Sequence, residues 1–313
     1  MEAIVYKSTG SWYEVKDPSG KMLQARTVGK LRLEDTKTTN PIAVGDKVIL
    51  NDESDGQYSI IEVLPRTNYV VRQSPRKKHN VHIIASNVDQ ALLIVTIIQP
   101  MLKPGFIDRF LLMTEPYNIP VIIAFNKSDL YKEKDLQTFN FYKTVYENIG
   151  YKVISTSSEN GEGMELLANV LKNKTTLISG QSGVGKSSLV NALEQNLTLK
   201  TTEISDYSGK GQHTTTFAEM YDLSFGGSII DTPGIKTLAF NTFDIKDVAH
   251  NFREFFIISK DCKFADCSHR NEPKCAVKDA LEQGFISEHR YNNYLQIIDE
   301  IENQNYWEIH DDI

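Results

Sequence analysis

Thr175-Thr176-Leu177-Ile178-Ser179-Gly180-Gln181-Ser182-Gly183-Val184-Gly185-Lys186-Ser187-Ser188-Leu189-Val190 is the stretch that decides how this chain is read. From Gly180 to Ser187 it matches G-x-x-x-x-G-K-[ST], the phosphate-binding loop. An apolar segment with threonines (175–178) leads in and a run of helix formers (188–193) leads out, so the loop joins a strand to a helix N-terminus. Glycines at 180, 183 and 185 let the backbone close around phosphate oxygens, where a Cβ would clash. Amides from Val184 to Ser187 then point inward at the start of a helix, which favours an anion. Lys186 can reach β- and γ-phosphates, and the Ser187 hydroxyl is placed to ligate Mg²⁺. Gln181, Ser182 and Ser188 complete the loop. A nucleotide phosphate is expected here.

Upstream, residues 88–98 read as a buried strand, 107–117 as a helix and 120–125 as a second buried strand. The second strand runs into Asn126-Lys127-Ser128-Asp129, an N-K-x-D pattern. The Asp129 carboxylate can accept from guanine N1–H and the exocyclic amine, a donor pair that adenine lacks. Asn126 can tether the site through its amide, and the stem of Lys127 can lie over the base. Readout of this kind discriminates by on the order of 10⁴-fold. Tyr151 to Ile154 then leads into Ser155-Thr156-Ser157-Ser158, a loop whose backbone can touch the guanine O6.

Downstream lies Tyr207-Ser208-Gly209-Lys210-Gly211-Gln212-His213-Thr214-Thr215-Thr216, polar and glycine-rich, with the make-up of a mobile switch. One of Thr214, Thr215 or Thr216 can ligate Mg²⁺ when a γ-phosphate is present. The strand 228–230 ends in Asp231-Thr232-Pro233-Gly234, a D-x-x-G motif. Asp231 would hold Mg²⁺ through water and the Gly234 amide would sense the γ-phosphate.

The three cysteines lie within one short run, Cys262-x₄-Cys267-x-His269-x₅-Cys275. Three thiolates and an imidazole make a closed tetrahedral zinc shell, structural because no position is left open. Apolar residues of 243–256 are spaced as helix faces, and residues 276–283 and 287–303 read as two more helices split at Gly284. The lysines and arginine beside the cysteine loop (Lys260, Lys263, Arg270, Lys274) give it a modest basic density.

At the other end, residues 3–6, 22–25, 47–50 and 58–64 read as short strands separated by turn signals at 17–20, 45–46 and 52–56. This spacing suggests a small β-barrel, best matched by an OB-fold, and such barrels often bind RNA. The basic run Arg72, Arg76, Lys77, Lys78, His79 follows at the boundary, as a solvated linker or a contact to RNA phosphate. The 313 residues carry a net charge of −7, so no global positive field draws nucleic acid, and RNA binding would be local. No apolar run approaches the ~20 residues of a membrane span, and the N-terminus lacks a secretory pattern, so a cytoplasmic, membrane-free protein is expected.

The base-reading motif precedes the phosphate loop, the reverse of the usual GTPase order. Joining the old ends and opening the chain between the D-x-x-G strand and the base-reading strand produces this permutation, which the fold tolerates if the old termini were close. The permuted order, the barrel and the cysteine cluster together resemble the ribosome small subunit-dependent GTPase A family, the RsgA or YjeQ type, over nearly the whole chain. These readings divide the chain into an OB-fold barrel over 1–74, a circularly permuted α/β P-loop GTPase domain over 75–240 and an α-helical zinc domain over 241–313. The resemblance implies GTP hydrolysis to GDP and phosphate with Mg²⁺, stimulated by the small ribosomal subunit and its rRNA late in that subunit's assembly, by a protein expected to be a monomer.

Ile235 stands where Ras-like GTPases carry a water-orienting glutamine. His213 is the local candidate for that role. The resemblance supports it, since the family's switch motif carries a histidine before paired threonines, although Gln212 replaces the family's usual basic residue. An incomplete site predicts slow intrinsic turnover, with partner-assisted acceleration of about 10³–10⁵. The competing readings are a permuted GTPase of the large subunit, an RNA-binding module in which nucleotide only locks conformation, and, more remotely, an ATP-using kinase.

Overall fold

The computed structural model describes residues 1–10, 12–27, 41–53, 56–73, 81–103, 105–194, 218–232 and 243–310. The N-terminal strands are β1 (Glu2–Ser8), β2 (Trp12–Lys16), β3 (Met22–Thr27), β4 (Lys47–Asp52) and β5 (Tyr58–Val63). Alternate side chains point inward, among them Val5, Val15, Ala25, Val48 and Ile60, which form one apolar core. β1 pairs with both β2 and β4, while β3 pairs in parallel with β5, so the order β1-β2-β3-β5-β4 returns to β1. This is the closed barrel of OB type that the turn spacing implied. β2 escaped the sequence reading because it has only five residues and directly follows the turn at Gly10.

β6 (Tyr69–Gln73) and β7 (Val81–Ser86) pair with each other as a separate hairpin. The 74/75 division therefore falls inside a hairpin, and the basic run spans its connection; Arg76, Lys77, Lys78 and His79 lie outside the described residues. A buried carboxylate fastens the barrel to this hairpin. Asp46 accepts from Arg66 Nε and Nη2 at 2.7 and 2.6 Å, from Ser86 Oγ at 2.5 Å and from the Ala43 amide at 2.8 Å. The neighbouring Gly45 (φ 92°) lies so close that a Cβ there would sit 2.1 Å from the Ser86 carbonyl oxygen.

The central domain follows as β8 (Gln90–Val95), α1 (Phe106–Thr114), β9 (Val121–Phe125), α2 (Glu133–Asn148), β10 (Lys152–Ser155), α3 (Met164–Leu171), β11 (Thr175–Gly180), α4 (Lys186–Leu193), β12 (Glu219–Asp222) and β13 (Ser228–Asp231). The sheet order is β10-β9-β8-β11-β13-β12, parallel throughout except for β12 against β13. Strands β8 and β9 are buried along their whole length, as parallel strands covered on both faces must be, which is why they read as unbroken apolar runs. α3 supplies the crossover from β10 to β11, so the base-reading half of the domain precedes the phosphate-binding half in the chain. The expected helix 107–117 is α1 followed by a short 3₁₀ turn, Glu115–Tyr117, that carries Pro116. β12 went unread because it is short and polar, and β1 of the barrel pairs with its outer edge at Lys7↔Glu219.

The C-terminal domain comprises α5 (Ile245–Asn251), α6 (Arg253–Ile258), α7 (Ala276–Glu282) and α8 (Glu288–His310). Asp244 caps α5, accepting from the Asp247 amide at 2.8 Å while the Asp247 carboxylate accepts from the Asp244 amide at 3.0 Å. Val248, Phe252, Phe255, Val277, Tyr294 and Ile298 are central to its core. A buried ionic cluster joins this domain to the nucleotide domain. Arg290 of α8, 1% exposed, donates from Nη1 to Asp108 of α1 at 2.7 Å and from Nε and Nη2 to Glu254 of α6 at 2.8 and 2.9 Å. Tyr146 of α2 donates to the same Asp108 at 2.7 Å, and Asn293 donates to its other oxygen.

Candidate nucleotide site and cysteine cluster

β11 and β9 are neighbours of β8 on either side, so the loops that leave their carboxyl ends come together above β8, where ligands bind in open α/β sheets. The register Gly180↔Ile94 brings the phosphate loop so close to β8 that a Cβ on Gly180 would lie 2.2 Å from the Ile94 carbonyl oxygen. At Gly185 (φ 87°), which precedes the first residue of α4, a Cβ would lie 2.6 Å from the Asn126 amide nitrogen. The glycines serve here to let two loops touch.

Two motifs far apart in sequence are tied directly. Asn126, 1% exposed, donates from Nδ2 to the Val184 carbonyl at 2.9 Å and accepts at Oδ1 from the Thr156 hydroxyl at 3.2 Å. Lys127 (φ 65°) donates to the carbonyls of Gly183 at 2.8 Å and Gln99 at 2.6 Å. Asp129 accepts from Ser157 Oγ at 2.5 Å, which fixes one carboxylate oxygen and turns the pair. Ser128 donates to Glu162 at 2.8 Å. Tyr131, which donates to the Asn126 carbonyl at 2.9 Å, and the Gln99 carbonyl are supports that no motif signalled. Both lie just past a strand end, the only sequence signal they offered.

At the other end of the loop, Lys186 Nζ donates to the carbonyls of Gly180 and Gln181, each at 3.0 Å. Burial pushes its ammonium below the ordinary value, partly opposed by Asp231. Burial likewise pushes the Asp231 carboxyl up, opposed by Lys186 and reinforced by Glu219. Each group is thus displaced toward its neutral form, so a phosphate near Lys186 and a cation near Asp231 would each meet an incompletely compensated charge. Thr232 donates to the Ile178 carbonyl at 3.1 Å, fixing the end of β13 against β11. Ser187 and Ser188 lie in the first turn of α4. His213, Thr214, Thr215, Thr216 and Gly234 lie outside the described residues.

The ligand atoms of Cys262, Cys267, His269 and Cys275 all lie within 4.8 Å of one another. A tetrahedral shell with the usual zinc bond lengths places sulfur and imidazole nitrogen ~3.6 Å apart. Here His269 Nδ1 is 3.7 Å from Cys262 Sγ and 3.4 Å from Cys275 Sγ. Burial lowers the His269 pKa, favouring the neutral ring that can ligate, and raises Cys275 and Cys267, the latter to about 12. Such thiols become ligating thiolates only against a cation, so the donor set fits a metal. The loop is braced from outside. Tyr291 and Tyr294 of α8 donate to the His269 and Ser268 carbonyls, each at 2.7 Å. Glu272 accepts from the Ser268 amide and hydroxyl at 2.7 and 2.6 Å and from the Arg270 amide at 3.0 Å. Burial alone would raise Glu272, but these bonds hold it down at about 2.

A phosphate loop, an N-K-x-D loop tied to it and a D-x-x-G strand, arranged in this strand order, define a circularly permuted P-loop GTPase carrying an OB-type barrel and a helical Cys₃His domain. A family model described as RsgA GTPase matches residues 63–241, and one described as RsgA N-terminal domain matches residues 2–60. The small ribosomal subunit biogenesis GTPase RsgA of Flavobacterium psychrophilum is 51% identical over 96% of this chain and 93% of its own. The protein of the same name from Bacteroides fragilis strain YCH46 is 45% identical over 98% and 99%. Among solved structures, YjeQ from Thermotoga maritima superposes with a TM-score of 0.78 at 34% identity, covering 96% of this chain and 98% of that one. YloQ, a circularly permuted GTPase, gives 0.74 at 33%, covering 97% and 95%. The chain belongs to the RsgA GTPase family.

Proposed function

We propose that this GTPase acts in biogenesis of the small ribosomal subunit, hydrolysing GTP to GDP and phosphate under stimulation by that subunit. The observation that carries the guanine assignment is the direct bond from Asn126 to the Val184 carbonyl. It sets the base-reading loop and the phosphate loop at one fixed span, and Ser157 fixes one Asp129 oxygen, leaving the other to accept from the base. Gly180 to Ser188 hold the phosphates, with Lys186 on the β- and γ-oxygens. Asn126, Lys127, Ser128 and Asp129 form the guanine end, and the Gly234 amide reads the γ-phosphate.

Mg²⁺ is held by Ser187, by Asp231 through water and by a threonine among 214–216; when bound it neutralises phosphate charge. His213 orients the attacking water, a role that Ile235 cannot fill. Cys262, Cys267, His269 and Cys275 hold one structural zinc ion. The barrel and the basic residues Arg72, Arg76, Lys77, Lys78 and His79 supply the local contacts to rRNA phosphate. Among the described residues no helix is long and apolar enough to cross a membrane, and the protein works as a cytoplasmic monomer of three parts, a barrel, a nucleotide domain and a zinc-bearing helical domain.

The test is GTP turnover, with ATP as control, alone and with purified small subunits. Slow GTP-specific hydrolysis rising by about 10³-fold or more with subunits is expected, with loss of that rise in His213→Ala. Equal use of ATP, or no response to small subunits, would overturn the assignment.

A further inference from the structure

The barrel touches the nucleotide domain at a strand with an unusual position in the site. β12 follows the switch segment and pairs with β13, which ends at Asp231. In that pairing Glu219 stands directly opposite Asp231. On the other edge of β12, Lys7 of the barrel stands opposite Glu219, and its Nζ lies 2.9 Å from the Glu219 carboxylate. Glu14 of β2 stands opposite Lys7 in turn. Residues directly opposite on adjacent strands share a face, with Cβ atoms about 5 Å apart. One face of the sheet therefore carries a continuous charge row, Glu14, Lys7, Glu219, Asp231, crossing from the barrel into the nucleotide site. Two carboxylates stand next to each other at its inner end, an arrangement that is unfavourable without a cation nearby. Lys7 is one such cation, and it reaches Glu219 only because the barrel docks here.

We propose that Glu219 is a positioning carboxylate for the divalent cation of the nucleotide site and that Lys7 of the barrel sets its strength. This rests on the placing of Mg²⁺ beside Asp231. Glu219 adds negative potential behind Asp231 and favours the hydrated cation there. Lys7 subtracts from that potential. The barrel is thereby an electrostatic component of the GTPase site as well as a docking module, and any partner that draws Lys7 away from Glu219 strengthens cation binding.

A control is built into the same seam. Asp222, on the opposite face of β12, accepts from Tyr6 at 2.7 Å and pairs with Lys16. It holds the same two domains together but stands opposite Ser228, at the far end of β13 from Asp231.

The experiment uses the whole 313-residue chain and a fluorescent, non-hydrolysable GTP analogue, and reads the Mg²⁺ concentration for half-maximal retention at low ionic strength. A unit charge within about a Debye length of a divalent ion in a water-like dielectric shifts that concentration a few-fold. Glu219→Gln should raise it and Lys7→Met should lower it. The double variant should return close to wild type, and Asp222→Asn should leave it unchanged. Shifts of the same sign in Lys7→Met and Glu219→Gln, or an equal shift in Asp222→Asn, would show that the seam acts by packing alone and would overturn the proposal. Absence of any shift in both charge variants would also overturn it. Asp231→Asn separates the two layers: if it leaves the Mg²⁺ dependence intact, the placing of the cation beside Asp231 fails. If it abolishes that dependence while Lys7 and Glu219 prove inert, only the present inference fails.

Discussion

Removing Arg290 tests whether the C-terminal domain is held to the GTPase domain by a buried charge or merely by apolar contact. The guanidinium makes three charge-assisted hydrogen bonds, at 2.7 Å to Asp108 and at 2.8 and 2.9 Å to Glu254, and lies 4.1 Å from the Phe252 ring centroid. Arg290→Met keeps most of the volume and leaves two carboxylates buried, 0% exposed at Asp108 and 8% at Glu254. Breaking a buried pair from one side costs about 3–5 kcal/mol, because the stranded charge keeps its desolvation penalty. The loss should appear locally, so the suitable assay is hydrogen exchange of α1, α6 and α8 amides, read as opening free energy. Arg290→Met should lower it by about 3 kcal/mol or more in α6 and α8. Adding Asp108→Asn and Glu254→Gln should recover most of the loss by removing both orphaned charges. Glu300→Ala, which removes the exposed partner of Arg109, should cost less than about 1 kcal/mol. A cost below about 1 kcal/mol for Arg290→Met, or no recovery in the triple variant, would refute the argument that this junction is governed by charge desolvation.

Three other outcomes follow from the geometry. Gly185→Ala should abolish nucleotide binding in fluorescence titration while leaving the domain folded by circular dichroism, because its Cβ displaces Asn126 from a position 2.6 Å away and its φ of 87° disfavours any side chain. Asp129→Asn should weaken GTP by about 10²-fold or more, since an amide cannot accept from both guanine donors; titration with xanthosine triphosphate should show partial rescue through the exchanged donor and acceptor. Zinc should be present at one ion per chain by elemental analysis, and chelation or Cys275→Ser should melt the loop from Cys262 to Cys275 with α7. The central sheet should remain intact, because its core is separate from that of the C-terminal domain.

The chemistry-bearing segments were readable in the chain because each is local. A phosphate loop needs glycines and a lysine within a few residues, N-K-x-D presents its groups from one turn, and Cys262 to Cys275 bring four ligands together within one loop. The buried strands β8 and β9 announced themselves as apolar runs because both faces are covered. Elements whose stability comes from a neighbour did not announce themselves. β12 is Glu-Met-Tyr-Asp, polar enough to pass for a loop, and is a strand because β13 and β1 flank it. The hairpin β6–β7 lay behind a basic run that drew attention to charge rather than to alternation.

The order of motifs by itself determined that this is a permuted guanine-nucleotide domain, the spacing of short strands and turns put a barrel before it, and the cysteine spacing put a Cys₃His cluster after it, because residue types at fixed short spacings suffice for those conclusions. Tertiary structure alone decided how the parts act on one another. Asn126 meets Val184, Ser157 turns Asp129, Arg290 joins α8 to α1, and Lys7 faces Glu219 beside Asp231. Each of these contacts spans a long stretch of sequence and depends on strand register or helix packing. Register and packing are set by the burial of whole faces, which no local motif encodes.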